Sequence, residues 1–217
     1  MRILSTNLSI PQTIIWNEKE EQTGFYKKPV TGPVFLGFLG VNNDCVIDTV
    51  HHGGIEKACY IYSYDHYDFW KTKYPNLNFE YGMFGENLTV ENLDESKIFI
   101  GDTYRIGEAL IQVSQPRQPC YKLGIRFEDI NIITEFVNAP FPGIYIRVLE
   151  EGFVKVGDKA IRISEEQNSF SVAELYALIY SKTPDMMEIE KALKDEFLSD
   201  GVKKYLIRKF YPKNNNL

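Results

Sequence analysis

The sequence predicts a mainly β protein of the α+β class, one closed or strongly curved sheet with a few helices, followed by a three-helix bundle. Three observations predict it. Turn signals at Gly32-Pro33, Asn42-Asn43-Asp44, Gly53-Gly54, Gly101-Asp102, Gly107 and Gly157-Asp158 divide the first three quarters into short apolar or alternating runs, the rhythm of strands rather than of helices. Those runs are rich in β-branched and aromatic residues, which suit a pleated, half-buried surface. After Ser164 the pattern changes to capped segments with helical spacing.

In chain order, strands are expected over 34–39, 97–100, 103–106, 110–113, 144–148, 153–156 and 160–163. The phrases around Gly101-Asp102 and Gly157-Asp158 are alike and read as two similar turns of one sheet. Ser63 to Tyr74 is expected to be helical, with Ser63 and Asp65 as caps and Pro75 as its stop; Glu128 to Val137 places Ile132, Ile133, Phe136 and Val137 at helical spacing. Ser171-Val172-Ala173-Glu174 is a capping box: the serine hydroxyl and the glutamate carboxylate each satisfy a free amide of the first turn. Thr183-Pro184 and Ser199 open two more helices. The expected division is a β unit over 1–165 and a helical element over 168–212 that docks on it.

The 217 residues are 44% hydrophobic, with a formal net charge of −6 and no long basic run, which excludes a disordered chain and argues against nucleic acid as a partner. Three cysteines without a CxxC pair exclude a disulfide framework and a four-cysteine zinc site. No apolar stretch reaches membrane length. A cytoplasmic protein with free thiols is the expectation.

Three segments can carry chemistry. In Ser114-Gln115-Pro116-Arg117-Gln118-Pro119-Cys120, two prolines end a strand and stiffen the loop that presents Cys120, while Arg117, Lys122 and Arg126 favour the thiolate that attacks electrophiles and binds soft metals. A cysteine simply packed as a small hydrophobe is the alternative. In His51-His52-Gly53-Gly54-Ile55-Glu56-Lys57, the glycines let backbone amides approach an anion, with Lys57 or a histidine adding positive charge; a plain hairpin turn accounts for the same residues. In Phe84-Gly85-Glu86-Asn87, an acid and an amide beside a permissive glycine offer groups to grip a heterocycle or brace a loop. Cys45 and Cys59 read as packing residues.

Taken together and in this order, the three segments resemble the MOSC domain, specifically its YiiM-like branch. Lys27-Lys28-Pro29-Val30 with Gly32-Pro33-Val34, and the tail from Phe170 to Phe210, resemble the same branch, so the likeness covers nearly the whole chain. One departure is Ile55, where a proline is expected after the double glycine. The resemblance implies a β-barrel that binds the molybdenum cofactor, with Cys120 as metal ligand and catalytic residue and His51 and His52 as catalytic candidates. Gly53, Gly54, Lys57, Phe84, Gly85, Glu86, Asn87, Ser114, Gln115, Arg117 and Lys122 are the expected cofactor-binding set. The implied activity is reduction of N-hydroxylated compounds such as hydroxylamino purines. The sequence has no GxGxxG fingerprint, CxxC cluster or P-loop, so electrons are expected from a separate reductase. Two alternatives stay open: a persulfide carrier loaded on Cys120 by a PLP-dependent desulfurase, and a non-catalytic cofactor-binding module with the helical tail as its docking surface. No membrane partner is expected, and a homodimer is left open.

Overall fold

A computed structural model describes residues 1–47 and 53–212. The strands are β1 (Arg2–Leu8), β2 (Gln12–Trp16), β3 (Lys19–Thr23), β4 (Lys28–Pro29), β5 (Val34–Gly37), β6 (Gly40–Val41), β7 (Cys59–Ser63), β8 (Leu88–Glu91), β9 (Thr103–Ile106), β10 (Ala109–Pro116), β11 (Ile144–Glu150), β12 (Gly152–Val154) and β13 (Ala160–Ser164). The helices are α1 (Tyr67–Lys73), α2 (Tyr121–Arg126), α3 (Ile132–Asn138), α4 (Val172–Tyr180), α5 (Met186–Lys194) and α6 (Asp200–Phe210). Eight strands form the main sheet in the order β13-β9-β10-β11-β7-β8-β1-β4, with β12-β5-β6 and the β2-β3 hairpin as smaller sheets.

The mainly β, α+β class is as the sequence predicts, and the sheet curls far enough for its ends to meet without closing as a continuous ladder. Arg2 and Lys159 form one isolated antiparallel bridge. Around it Ile3 N–H donates to the Asp158 carbonyl at 2.9 Å, and Gly157 N–H to that of Ile3 at 2.9 Å. The barrel expected from the resemblance is therefore not closed: the curled sheet's first and last strands touch only around this bridge.

Pairing in the main sheet is antiparallel except between β7 and β8, which run parallel. A parallel pair needs a long crossover. Residues 64–87 supply it, carrying α1 out and the Gly82–Asn87 turn back. Tyr62, Tyr67, Trp70, Phe84, Phe127 and Phe136 pack together beneath this crossover into an aromatic cluster. The larger core joins sheet residues such as Leu36, Ile61, Ile111 and Ile146 to Val172, Leu175, Ile179, Val202 and Leu206 of the last three helices. Each such fully buried side chain contributes roughly 1.5–3 kcal/mol.

Several boundaries differ from the sequence reading. Residues 97–100 bury Ile98 and Ile100 but make only one bridge, Phe99 to Ser171, because the chain turns at Gly101 with φ 95°. Ser63 belongs to β7 and caps a short 3₁₀ turn at 64–66, accepting from Asp65 N–H at 3.2 Å, so α1 starts at Tyr67. Glu128 takes a left-handed φ of 55°, which helical residues avoid, and α3 starts at Ile132. The run 34–39 stops at Gly37 and turns into β6. In the tail, both bonds of the Ser171–Glu174 capping box form.

Candidate functional site

The cysteine loop is aimed by its strand. A bulge between Val113 and Gln115 breaks the β10–β11 register, and bulges re-aim the side chains that follow. Ser114 Oγ, left out of the ladder, donates to the Glu56 carbonyl at 2.6 Å, tying the loop to the 3₁₀ turn at Ile55–Lys57. Gln115 faces the other way, its Oε1 accepting from Ser199 Oγ at 2.6 Å. The chain then leaves the sheet, Arg117 turns into the interior, and Cys120 caps α2 with its carbonyl accepting from Leu123 N–H at 3.0 Å.

Arg117 is 3% exposed. Its guanidinium lies 4.8 Å from the Phe136 ring centroid, 5.4 Å from that of Tyr60 and 5.8 Å from that of Phe25. Nη1 has no hydrogen-bond partner, and no carboxylate pairs with this residue among the described residues. Burial works against its charge, but Tyr60, Cys120 and Tyr145 around it push its pKa above the ordinary arginine value. Burial also pushes the Tyr145 hydroxyl up to about 12, with Arg117 opposing.

The opposite wall is built by the Gly82–Asn87 turn. The Glu86 carboxylate, fully buried, accepts from Gly82 N–H at 2.9 Å, Phe84 N–H at 3.0 Å, Tyr67 Oη at 2.5 Å and Thr89 Oγ1 at 2.8 Å. Burial raises its pKa, and these donors hold it back. Gly85, at φ 82°, passes so close to Phe25 that a Cβ would stand 2.9 Å from the ring. Asn87 Nδ2 donates to Asp44 Oδ2 at 2.8 Å, and Tyr60 N–H to Asn87 Oδ1 at 3.3 Å. Asp44 also pairs with Lys27 Nζ and accepts from Ser9 N–H and Oγ at 2.9 Å each. These added hydrogen bonds offset the cost of desolvating the pair, and removing either partner strands the other charge.

Between these walls lies a cleft open to solvent. Lys57, Phe84, Gly85, Asn87, Arg117, Cys120 and Lys122 line it, so the structure brings together seven of the residues singled out in the sequence. Glu86, Ser114 and Gln115 stand behind the walls as supports, and Gly53 and Gly54 do not line the cleft. Gly54, at φ 85°, leads into the turn that delivers Lys57 to the cleft. Lys122 is buried with its Nζ 5.8 Å from the Tyr121 ring centroid, and no carboxylate pairs with it among the described residues. His51 and His52 lie outside the described residues.

Sequence reasoning missed Phe25, Asp44, Cys45, Tyr60 and Tyr145, all of which line the cleft. Cys45 is a correction: it is half-buried in the cleft wall rather than packed in the core, whereas Cys59 is 1% exposed in the core as expected. Gly24 is needed because a Cβ there would stand 1.8 Å from the Cys45 carbonyl oxygen. The remaining cations of the sequence reading divide: Lys27 lines the cleft, Lys28 is exposed on β4, and Arg126 lies 4.7 Å from the Tyr26 ring centroid.

The MOSC domain family matches this chain over residues 48–160. YflK of Bacillus subtilis is 36% identical over 207 residues, 95% of this chain and 93% of that protein. A protein named Reductase from Gibberella moniliformis is 32% identical over 166 residues, 75% of this chain but 29% of that protein. The crystal structure of YiiM from Geobacillus stearothermophilus superposes with a TM-score of 0.81 at 28% identity, covering 96% of this chain and 98% of that one. A cleft built by the loops around Lys57, Gly85 and Cys120, on a fold shared along almost its full length, places this chain in the MOSC-domain family, in its YiiM-like branch.

Proposed function

We propose that this chain binds the molybdenum cofactor in the cleft and acts as the catalytic component of a reductase of N-hydroxylated compounds, hydroxylamino purines among them, with electrons from a separate protein. The observation that carries the reading is Arg117: a buried guanidinium without a carboxylate partner among the described residues, in the same cleft as a half-buried thiol. An unpaired buried cation is costly unless an anion joins it, and the cofactor is an anionic phosphate ester with soft sulfur donors. The donor set fits. Cys120 would supply a thiolate to the metal; Arg117, Lys122 and Lys57 would hold the negative charge; and the Tyr60, Phe84 and Tyr145 rings would shield the pterin from water. When bound, the group supplies the two-electron chemistry that takes oxygen from an N–OH. Proton delivery to the departing oxygen is assigned to His51 or His52. The related stretch within a protein named Reductase supports an oxidoreductase.

Metal and pterin analysis of chain made in a cofactor-producing host tests the reading. Both are expected near one per chain, and Cys120→Ser is expected to lose most of the molybdenum while keeping its fold. Absence of both from the parent chain, or full retention by Cys120→Ser, overturns it. A gain of one sulfur on Cys120 from a desulfurase, in a chain without pterin, supports the persulfide carrier instead.

A further inference from the structure

We propose that Cys45 is a second functional thiol of the cleft, a resolving cysteine that captures oxidised Cys120 as a Cys45–Cys120 disulfide. The proposal takes from the functional reading only that Cys120 is the reactive thiol. Both cysteines line the one cleft, both are half-buried, and neither is bonded to another cysteine. Both also sit on connecting segments: Cys45 follows β6, and Cys120 lies between β10 and α2. A disulfide has Cβ atoms about 3.8 Å apart, and neither cysteine stands in a strand ladder that forming one would break. The backbone of Cys45 is anchored on both sides, its N–H donating to the Ser9 carbonyl at 3.1 Å and its carbonyl accepting from Ser9 Oγ at 3.2 Å. Gly24 lets the neighbouring segment lie directly against that carbonyl. The side chain is thus held on the cleft wall rather than free to swing to the surface. Burial and the adjacent Asp44 carboxylate push the Cys45 thiol up, with Lys27 opposing, which makes it the less reactive of the two toward a peroxide and leaves it to react second, on the sulfenic acid. Cys59 is fully enclosed in the core and is no competitor.

The chemistry needs a hydroperoxide as oxidant. The Cys120 thiolate attacks it: an S–O bond forms, the O–O bond breaks, and the alkoxide or hydroxide leaves with a proton from solvent. Cys45 sulfur then attacks the sulfenic acid; an S–S bond forms, the S–O bond breaks, and hydroxide departs with the Cys45 proton as water. Two thiols lose two electrons, and the hydroperoxide is reduced to alcohol or water. The disulfide keeps Cys120 from irreversible sulfinic acid and withholds it as a ligand until a thiol reductant restores it.

Two measurements on the purified full chain, without added metal, test this. With hydrogen peroxide, the expected product is a monomer lacking two hydrogens, whose digest joins the peptides of Cys45 and Cys120 and which dithiothreitol reverses. Cys45→Ser is expected to accumulate at least about tenfold more Cys120 sulfinic acid under the same exposure. Phenylarsine oxide, which closes on two nearby thiols, is expected to bind the parent chain at least about tenfold more tightly than Cys45→Ser or Cys120→Ser. Equal Cys120 over-oxidation with and without Cys45, a linkage through Cys59 or between chains, or equal arsenical affinity overturns the proposal. None of these readouts involves molybdenum or pterin, so the proposal and the functional reading fail separately.

Discussion

Arg117 carries an unusual burden for a single side chain, a full positive charge enclosed by Phe25, Tyr60 and Phe136 with one guanidinium nitrogen unpartnered. Cation–π contact offsets part of the desolvation cost, on the order of 2 kcal/mol for a desolvated pair. If the charge is retained for an anionic ligand, Arg117→Met relieves a buried charge and is expected to leave the ligand-free chain as stable as the parent or more so, by up to about 4 kcal/mol. The same variant is expected to lose bound pterin. Urea unfolding of the ligand-free chain and pterin content of the loaded one check both halves; a large loss of stability would make Arg117 a structural residue. Lys27 and Asp44 are the contrasting case, a buried pair that satisfies itself. The sequence marks Arg117 and Cys120 because they share one stiff loop. It does not mark Asp44 or Cys45, whose relevance depends on neighbours far along the chain.

Among the elements, α6 shows how the tail reaches the cleft. Ser199 caps it, accepting from Val202 N–H at 3.2 Å, and the same hydroxyl donates to Gln115 Oε1 at the start of the cysteine segment. Ser199→Ala removes the cap and leaves a buried amide oxygen unpaired, an expected cost of about 1–3 kcal/mol. A lower urea midpoint with unchanged slope, together with faster alkylation of Cys120 by iodoacetamide, is the expected result; unchanged alkylation would mean that α6 does not steady the loop. The capping box at Ser171 was legible because its partners are three residues apart. The Ser199–Gln115 bond was not, since 84 residues separate them.

For the whole molecule, the last three helices and the sheet share one core. Removing residues after Ser164 exposes Ile98, Ile100 and their neighbours, and the truncated chain is expected to be unfolded or aggregated, as far-UV circular dichroism and size exclusion would show. A soluble, cooperatively folding 1–164 fragment would contradict this and restore the tail as a separable unit. Alkaline titration tests the same packing. Burial pushes Tyr104 and Tyr145 up to about 12. A phenol whose folded pKa is raised contributes stability that is fully present below the ordinary value of about 10 and is lost as pH rises through the folded one. Stability is therefore expected to fall between about pH 10 and 12, with tyrosinate absorbance appearing together with unfolding.

The sequence by itself determined the mainly β class, the capped helical tail, the stiff loop that presents Cys120 and the family to which the chain belongs. These rest on spacing within a few residues or on ordered motifs, and local chemistry is sufficient for both. Only the tertiary structure decided that the sheet joins at a single bridge, that Glu86 and Gln115 brace walls they do not line, and that Cys45 shares the cleft with Cys120. The reason is physical: burial and charge pairing depend on which distant segments pack together, and no period or motif along the chain records that.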